Sequence, residues 1–353
     1  MLDDSNALRK SDPSGMYNLI YNFPSQFKNA STLGKSLLLP DWRARDIKNI
    51  VLVGMGGSAI GGDLVRSYLA GELKVPFLIN RSYTLPNLVG PASLVFLSSY
   101  SGNTEETLSA YDQAKERKAK IVCISSGGKL LEQAVQDGFF SIKIPEGYPP
   151  RAALGYSFVL PLMVLAFLKL VPDKEKEMEE TIKSLTNGVN VYKMERKTSE
   201  NPAKNLALRL HKKLPIIYAA ENHLDAVATR WKGQVCENAK MLAFSNLFPE
   251  FNHNELVGWK VIDGYKDKLV VIVLKDRDDH IRIKRRMEIV KGIIEKMGVE
   301  VIEKESAGEG LLSRIFSLIQ LGDFTSFYLA ILNQIDPFPV DIINFLKDEL
   351  AKE

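Results

Sequence analysis

Two short stretches of this 353-residue chain concentrate small and hydroxyl side chains beside apolar runs. The first is Gly54-Met55-Gly56-Gly57-Ser58-Ala59-Ile60-Gly61-Gly62-Asp63, directly after the β-rich run Asn49–Val53. Glycines there let the backbone turn tightly and approach a ligand without Cβ clashes. The helix expected next would offer unpaired N–H groups and the positive end of its dipole to an anion. A tight strand-to-helix turn would account for one glycine, but five in nine residues point to anion binding, with Gly56, Gly57 and Ser58 as donors. The second stretch is Ser98-Ser99-Tyr100-Ser101-Gly102-Asn103-Thr104-Glu105-Glu106-Thr107. Ser, Thr and Asn are ordinary helix caps, and Glu105 and Glu106 suit a first helical turn. A cap needs one hydroxyl, whereas Ser99, Ser101 and Thr104 supply three. In an open parallel sheet, ligands bind outside the carboxyl ends of the strands, where both stretches fall. The economical joint reading is one phosphate, held by directed amides and hydroxyls rather than by lysine or metal.

The first stretch also fits a dinucleotide fingerprint, Gly54-x-Gly56-x-x-Ala59. That fingerprint wants an acid at the end of the second strand, yet the strand closes Leu78-Ile79-Asn80-Arg81. Arg81 could instead accommodate a 2′-phosphate, which keeps an NADP-dependent dehydrogenase as a rival. A nucleotide cofactor leaves the second stretch without an explanation.

The elements that would position these loops follow from patterning. Asn49–Val53, Val75–Ile79, Leu94–Ser98, Lys120–Ile124 and Phe140–Ile144 read as strands, with helix-period stretches such as Glu105–Arg117 and Lys129–Gln136 between them. Continuous apolar strands alternating with helices predict a parallel sheet covered on both faces. The second half repeats the plan more weakly at Pro215–Ala219, Leu269–Leu274 and Glu300–Ile302, with helical patterns after Leu224, Asp279 and Gly310. The expectation is an α/β protein with two doubly wound parallel-sheet domains, residues 1–170 and 201–353. The Lys- and Glu-rich segment 171–200 reads as a solvated connecting helix. The net charge of +3 is too near neutral to argue for nucleic acid or an anionic membrane. Two cysteines exclude a disulfide scaffold, and four scattered histidines give no zinc-type cluster. The 15-residue apolar run Ser157–Val171 contains Pro161 and Lys169 and reads as a buried helix rather than a membrane span. The opening MLDDSNALRK has no apolar run, so a cytoplasmic protein with reduced thiols is expected.

GMGGSAIGGD followed by SSYSGNTEET resembles the phosphate-binding signature of sugar-isomerase (SIS) domains. Five further segments, Met16–Phe27, Pro145–Ser157, Gly233–Lys240, His253-Asn254-Glu255 and Asp336–Lys347, extend the likeness over nearly the whole chain. Together they resemble the bifunctional phosphoglucose/phosphomannose isomerase family. The resemblance implies two SIS-type domains and an aldose–ketose isomerase acting on hexose 6-phosphates without metal or cofactor. A non-catalytic SIS-type sugar-phosphate sensor is the second rival.

The same resemblance assigns roles. Glu237, in Gln234-Val235-Cys236-Glu237-Asn238-Ala239-Lys240, matches the family's catalytic base. On its own, a Glu three residues before a Lys reads as an exposed ion-pairing residue. A carboxylate can carry a proton between C1 and C2, best when burial raises its pKa toward working pH. His253 matches the ring-opening histidine, which in family dimers reaches the active site from the neighbouring subunit; a homodimer is therefore implied. Imidazole chemistry suits a proton shuttle to a ring oxygen. Arg151 matches the arginine that faces the developing enediolate oxygen, where positive charge is stabilising. Lys347 matches a lysine assisting ring opening, although a lysine in a terminal helix is ordinarily solvated. After Pro215–Ala219 the second half carries Glu221-Asn222-His223 instead of a glycine-serine cradle, so one phosphate site per chain is expected.

Overall fold

A computed structural model describes residues 2–350 and 352. Two helices, α1 (Ser5–Lys10) and α2 (Met16–Tyr21), precede α3 (Phe23–Lys35). The first sheet then builds in alternation: β1 (Asn49–Val53), α4 (Gly56–Tyr68), β2 (Phe77–Asn80), β3 (Ser93–Ser98), α5 (Glu105–Glu116), β4 (Lys120–Ser125), α6 (Gly128–Gln136) and β5 (Phe140–Lys143). α7 (Leu154–Phe167), α8 (Glu175–Tyr192) and α9 (Pro202–Leu210) follow. The second sheet comprises β6 (Leu214–Ala220), α10 (Asp225–Ala239), β7 (Phe244–Phe248), α11 (Glu255–Gly258), β8 (Leu269–Lys275), α12 (Ile281–Lys296) and β9 (Glu300–Glu305). α13 (Leu311–Leu332) and α14 (Asp341–Leu350) complete the chain.

Both sheets are parallel, with strand orders β2-β1-β3-β4-β5 and β7-β6-β8-β9. Each order reverses beside its first strand, so β1/β3 and β6/β8 flank the two switch points, where open sheets bind ligands. The expected strands are all present, with ends shifted by at most three residues. β7 is an addition. Its sequence, FSNLF, has no β-branched residue, and its edge position supplies the pairing that composition does not reveal.

The chain divides into two compact units. One holds Asn22–Leu185 and Gly308–Ser313; the other holds the segment up to Tyr21, Thr186–Ala307 and the segment from Arg314 onward. In the first unit, Val51, Val53, Val95, Leu97, Ile121 and Cys123 form a buried sheet face packed by α5 and α6. α7 packs against α3 and α4. In the second unit, Tyr218, Phe248, Val271, Val273 and Val301 form the corresponding core with α12. The expected boundaries at 170 and 201 differ from this division for a nonlocal reason. Tyr17 accepts a hydrogen bond at Oη from Met194 N at 3.0 Å and packs against Phe324 and Phe327, so the first helices belong with the later sequence. The charged segment expected to be a solvated connector is α8, and it buries Met178, Thr181, Leu185 and Val189 along one stripe. α13 is long and apolar enough to cross a membrane, but most of it is buried within the protein.

Candidate active site

The first unit assembles the expected phosphate loops at the carboxyl ends of β1 and β3. Four of the five glycines after β1 answer to packing. A Cβ would lie 2.9 Å from Ser98 O at Gly54, 2.3 Å from Pro150 O at Gly57, 2.4 Å from Ser157 O at Gly61, and 2.7 Å from the Leu52 side chain at Gly62. Only Gly56 has open space before it, with φ +46°. The glycine count therefore measures close approach of α4 to its neighbours as much as it measures anion binding. The hydroxyls are organised differently. Ser58 Oγ accepts a hydrogen bond from Tyr100 N at 3.2 Å, which ties the first loop to the second. Ser99 Oγ and Thr104 Oγ1 lie 2.8 Å apart, and Ser99 Oγ also accepts from Gly102 N at 3.1 Å. Thr104 is the N-cap of α5, yet its side chain makes no capping hydrogen bond. The exposed Ser101 accepts from Asn103 N at 3.3 Å.

A third loop, Ser125–Gly128, was not singled out by sequence although it carries a similar Ser-Ser-Gly-Gly run after a strand. It braces the second loop from below: Ser126 Oγ donates to Tyr100 O at 2.7 Å, and Lys129 N donates to Asn103 Oδ1 at 3.1 Å. A Cβ on Gly102 would lie 1.8 Å from Gly127 O, so the two loops touch backbone to backbone.

Arg151, buried at 3% exposure, sits in the short turn Pro150–Ala152 that presses on Gly57. Two side chains set that turn. Tyr100 Oη donates to Pro145 O at 2.9 Å and accepts from Tyr148 N at 2.8 Å. Gln26 Nε2 donates to Ala152 O, and its Oε1 accepts from Gly155 N, both at 2.7 Å. Phosphate loops and Arg151 are thus one bonded assembly. Arg81, the candidate for a nucleotide 2′-phosphate, is ion-paired with Asp63 of α4, which engages its charge within the fold.

The other expected residues stand in the second unit. Glu237 is half-buried in the last turn of α10. A polar ladder fixes that helix against α13. Arg230 pairs with Asp323 at 2.7 Å, Gln234 Nε2 donates to Asp323 Oδ1 at 2.8 Å, and Asn238 Nδ2 donates to Ser326 Oγ at 2.9 Å. The spacing i, i+4, i+8 places these three on one helical face, a signal readable in the sequence but easily taken for a solvated stripe. Lys240, in left-handed conformation after the helix, donates to Glu237 O at 2.6 Å and to Pro337 O at 3.0 Å. His253 is exposed at the end of the turn Glu250–His253. Lys347 lies on α14, no residue of which is buried. Among the described residues, no three His, Cys, Asp or Glu side chains converge as a ligand set.

Sheet order, paired switch-point loops and a hydroxyl-lined cradle define the class of SIS-domain phosphosugar proteins. Family models agree: the SIS domain matches residues 45–170, and the bacterial phospho-glucose isomerase C-terminal SIS domain matches residues 199–350. The chain is 46% identical over 337 residues to a bifunctional phosphoglucose/phosphomannose isomerase of Caldicellulosiruptor bescii, covering 96% of this chain and 99% of that one. It is 35% identical to the protein of the same description from Aquifex aeolicus, covering 96% and 98%. A hypothetical protein of Thermus thermophilus shares the fold with a TM-score of 0.76 at 16% identity, covering 99% of this chain and 94% of that one. The chain belongs to the bifunctional phosphoglucose/phosphomannose isomerase family.

Proposed function

We propose that this protein is an isomerase interconverting glucose 6-phosphate and mannose 6-phosphate with fructose 6-phosphate. The observation that carries the reading is the bonded assembly of Ser58, Ser99, Thr104, Tyr100 and the Arg151 turn. It offers amides and hydroxyls to a phosphate, with the Arg151 backbone against Gly57, in a chain whose relatives bear that name. The phosphate is held by Gly56, Gly57, Ser58, Ser99, Ser101 and Thr104. His253, with Lys347, moves a proton from the O1 hydroxyl to the ring oxygen, so the C1–O5 bond breaks and the pyranose opens to the aldehyde. From the aldose, Glu237 removes the proton from C2 and returns it at C1 while the O2 hydroxyl proton passes to O1, and Arg151 stabilises the charge that grows on the enediolate oxygen. In the reverse direction, from fructose 6-phosphate, Glu237 takes the proton from C1 and returns it at C2, which is planar in the enediolate, so delivery to one face or, after bond rotation in the intermediate, to the other gives the glucose or the mannose epimer. No metal or cofactor takes part in this scheme.

The proposal includes a homodimer in which His253 serves the neighbouring subunit's site. The support is α14, a ten-residue helix with Ile342, Phe345 and Leu346 all exposed. A helix that short is marginal alone in water, so a covering surface accounts for it. Both cysteines are free thiols, which supports a reducing, cytoplasmic setting. The deciding experiment is turnover of fructose 6-phosphate by purified, EDTA-treated protein. Both glucose 6-phosphate and mannose 6-phosphate are expected. Binding without either product would establish the sensor instead, and NADPH binding indifferent to sugar phosphates would establish the dehydrogenase.

A further inference from the structure

The turn that carries His253 is fastened to one buried residue on both sides. Tyr218, on the central strand β6, is fully buried. Two residues before His253, the Phe251 ring stacks on the Tyr218 ring, centroids 4.2 Å apart and planes 7° from parallel. Two residues after His253, the Glu255 carboxylate accepts a hydrogen bond from Tyr218 Oη. The other Glu255 oxygen accepts from Asn246 Nδ2 of β7 at 2.6 Å. Trp259 Nε1 donates to Tyr218 Oη at 3.2 Å. Burial raises the Tyr218 phenol above its ordinary value, and Glu255 adds to the effect, so the phenol remains a donor. A charge-assisted bond from a rigid strand is a strong, directional restraint. Neither Tyr218 nor Glu255 has a part in the reaction scheme above, although His253-Asn254-Glu255 stands out in the sequence.

We propose that Tyr218 and Glu255 form a positioning pair for the His253 imidazole, holding an otherwise exposed turn in the geometry needed to protonate a ring oxygen. Ring face and hydroxyl of one strand residue bracket the histidine symmetrically, which limits both the swing and the tilt of the turn. The inference rests on the ring-opening role assigned to His253. A displacement of about 1 Å at a reacting group can lower a rate roughly 100-fold.

Ring opening can be read apart from isomerisation as anomerisation of glucose 6-phosphate, by exchange NMR, in a Glu237→Gln background. Tyr218→Phe keeps the stacked ring and removes the hydroxyl; Glu255→Gln keeps the shape and removes the charge. Each is expected to lower anomerisation about tenfold or more, with glucose 6-phosphate affinity within about twofold. Added to His253→Ala, neither should lower it further. Unchanged anomerisation in both variants, or affinity falling in step with it, overturns the proposal. If His253→Ala also leaves anomerisation at the Glu237→Gln level, the ring-opening role itself fails. If His253→Ala lowers it and the other two do not, only the positioning pair fails.

Discussion

Gly57→Ala isolates the contact between the first phosphate loop and the turn that carries Arg151. A Cβ on residue 57 would stand 2.3 Å from Pro150 O, 2.4 Å from Pro150 C and 2.7 Å from Arg151 N. All three are backbone atoms, so no side chain can rotate away. Restoring an ordinary contact of about 3.4 Å requires the carbonyl to retreat by roughly 1 Å. The turn resists, because Gln26 holds Ala152 O and Gly155 N while Tyr100 holds Tyr148 N. Overpacking of this kind costs about 1–3 kcal/mol of stability. In the proposed mechanism the same shift would move Arg151 away from the enediolate oxygen, with an expected loss of about 100-fold in kcat. The first-turn amides of α4 stay in place, so phosphate affinity should change far less. The assay is fructose 6-phosphate to glucose 6-phosphate turnover, coupled to a dehydrogenase, with substrate binding by calorimetry and Tm by scanning fluorimetry. Gly71→Ala, where a Cβ meets nothing within 4 Å, controls for the substitution itself. Wild-type kcat in Gly57→Ala would refute the claim that this contact sets Arg151.

Glu237→Gln is expected to lose at least a thousandfold in isomerisation while still binding glucose 6-phosphate; intact turnover with weakened binding would contradict its role. Ser101→Ala should raise KM several-fold with little change in kcat, since a phosphate contact serves ground and transition states alike. Phe345→Glu with Leu346→Glu should give a monomer by analytical ultracentrifugation and lower turnover at least tenfold; a dimer of full activity would free α14 from the interface. Asp279→Asn tests a pH linkage. Burial raises the Asp279 carboxyl to about 6, and the neighbouring Asp276 charge raises it too, while the Asp276 N–H lowers it. A raised carboxyl binds its proton more tightly in the folded state, so its contribution is full below about pH 4 and lost as pH rises through 6. The variant should therefore be more stable than the parent by about 2 kcal/mol at pH 7–8, with the gain shrinking between pH 6 and 4 in urea titrations. A gain independent of pH would refute the linkage.

Much of the fold was legible because its signals are local. Apolar strands such as Asn49–Val53 and Leu269–Leu274 announce themselves by composition, and the loops after β1 and β3 by small residues. What escaped was nonlocal. β7 exists because β6 offers an edge to pair with, and α1 and α2 find their partners nearly 180 residues and more later in the chain. The glycines of the first loop have a partly different cause from the one their count suggests, since Gly54, Gly57, Gly61 and Gly62 face backbone or side chains and only Gly56 of the five faces open space. The phosphate-loop candidates were readable from residue types and spacing, whereas Glu237, His253, Arg151 and Lys347 were readable only through family resemblance. The i, i+4, i+8 spacing beneath Glu237 is visible in the sequence, but its partners on α13 are not, and the Tyr218 bracket around His253 has no local signature, because each depends on a second element meeting the first.

The placement of the first 21 residues with the later sequence also bears on how the protein is made. Tyr17 leaves the ribosome early, but Met194, Phe324 and Phe327 are synthesised much later. A nascent chain paused near residue 185 would carry all five strands of the first sheet, while Tyr17 would still lack Met194, Phe324 and Phe327. Tyr17 therefore completes its packing only after Phe327 has been made, so the second unit closes around its earliest helices last.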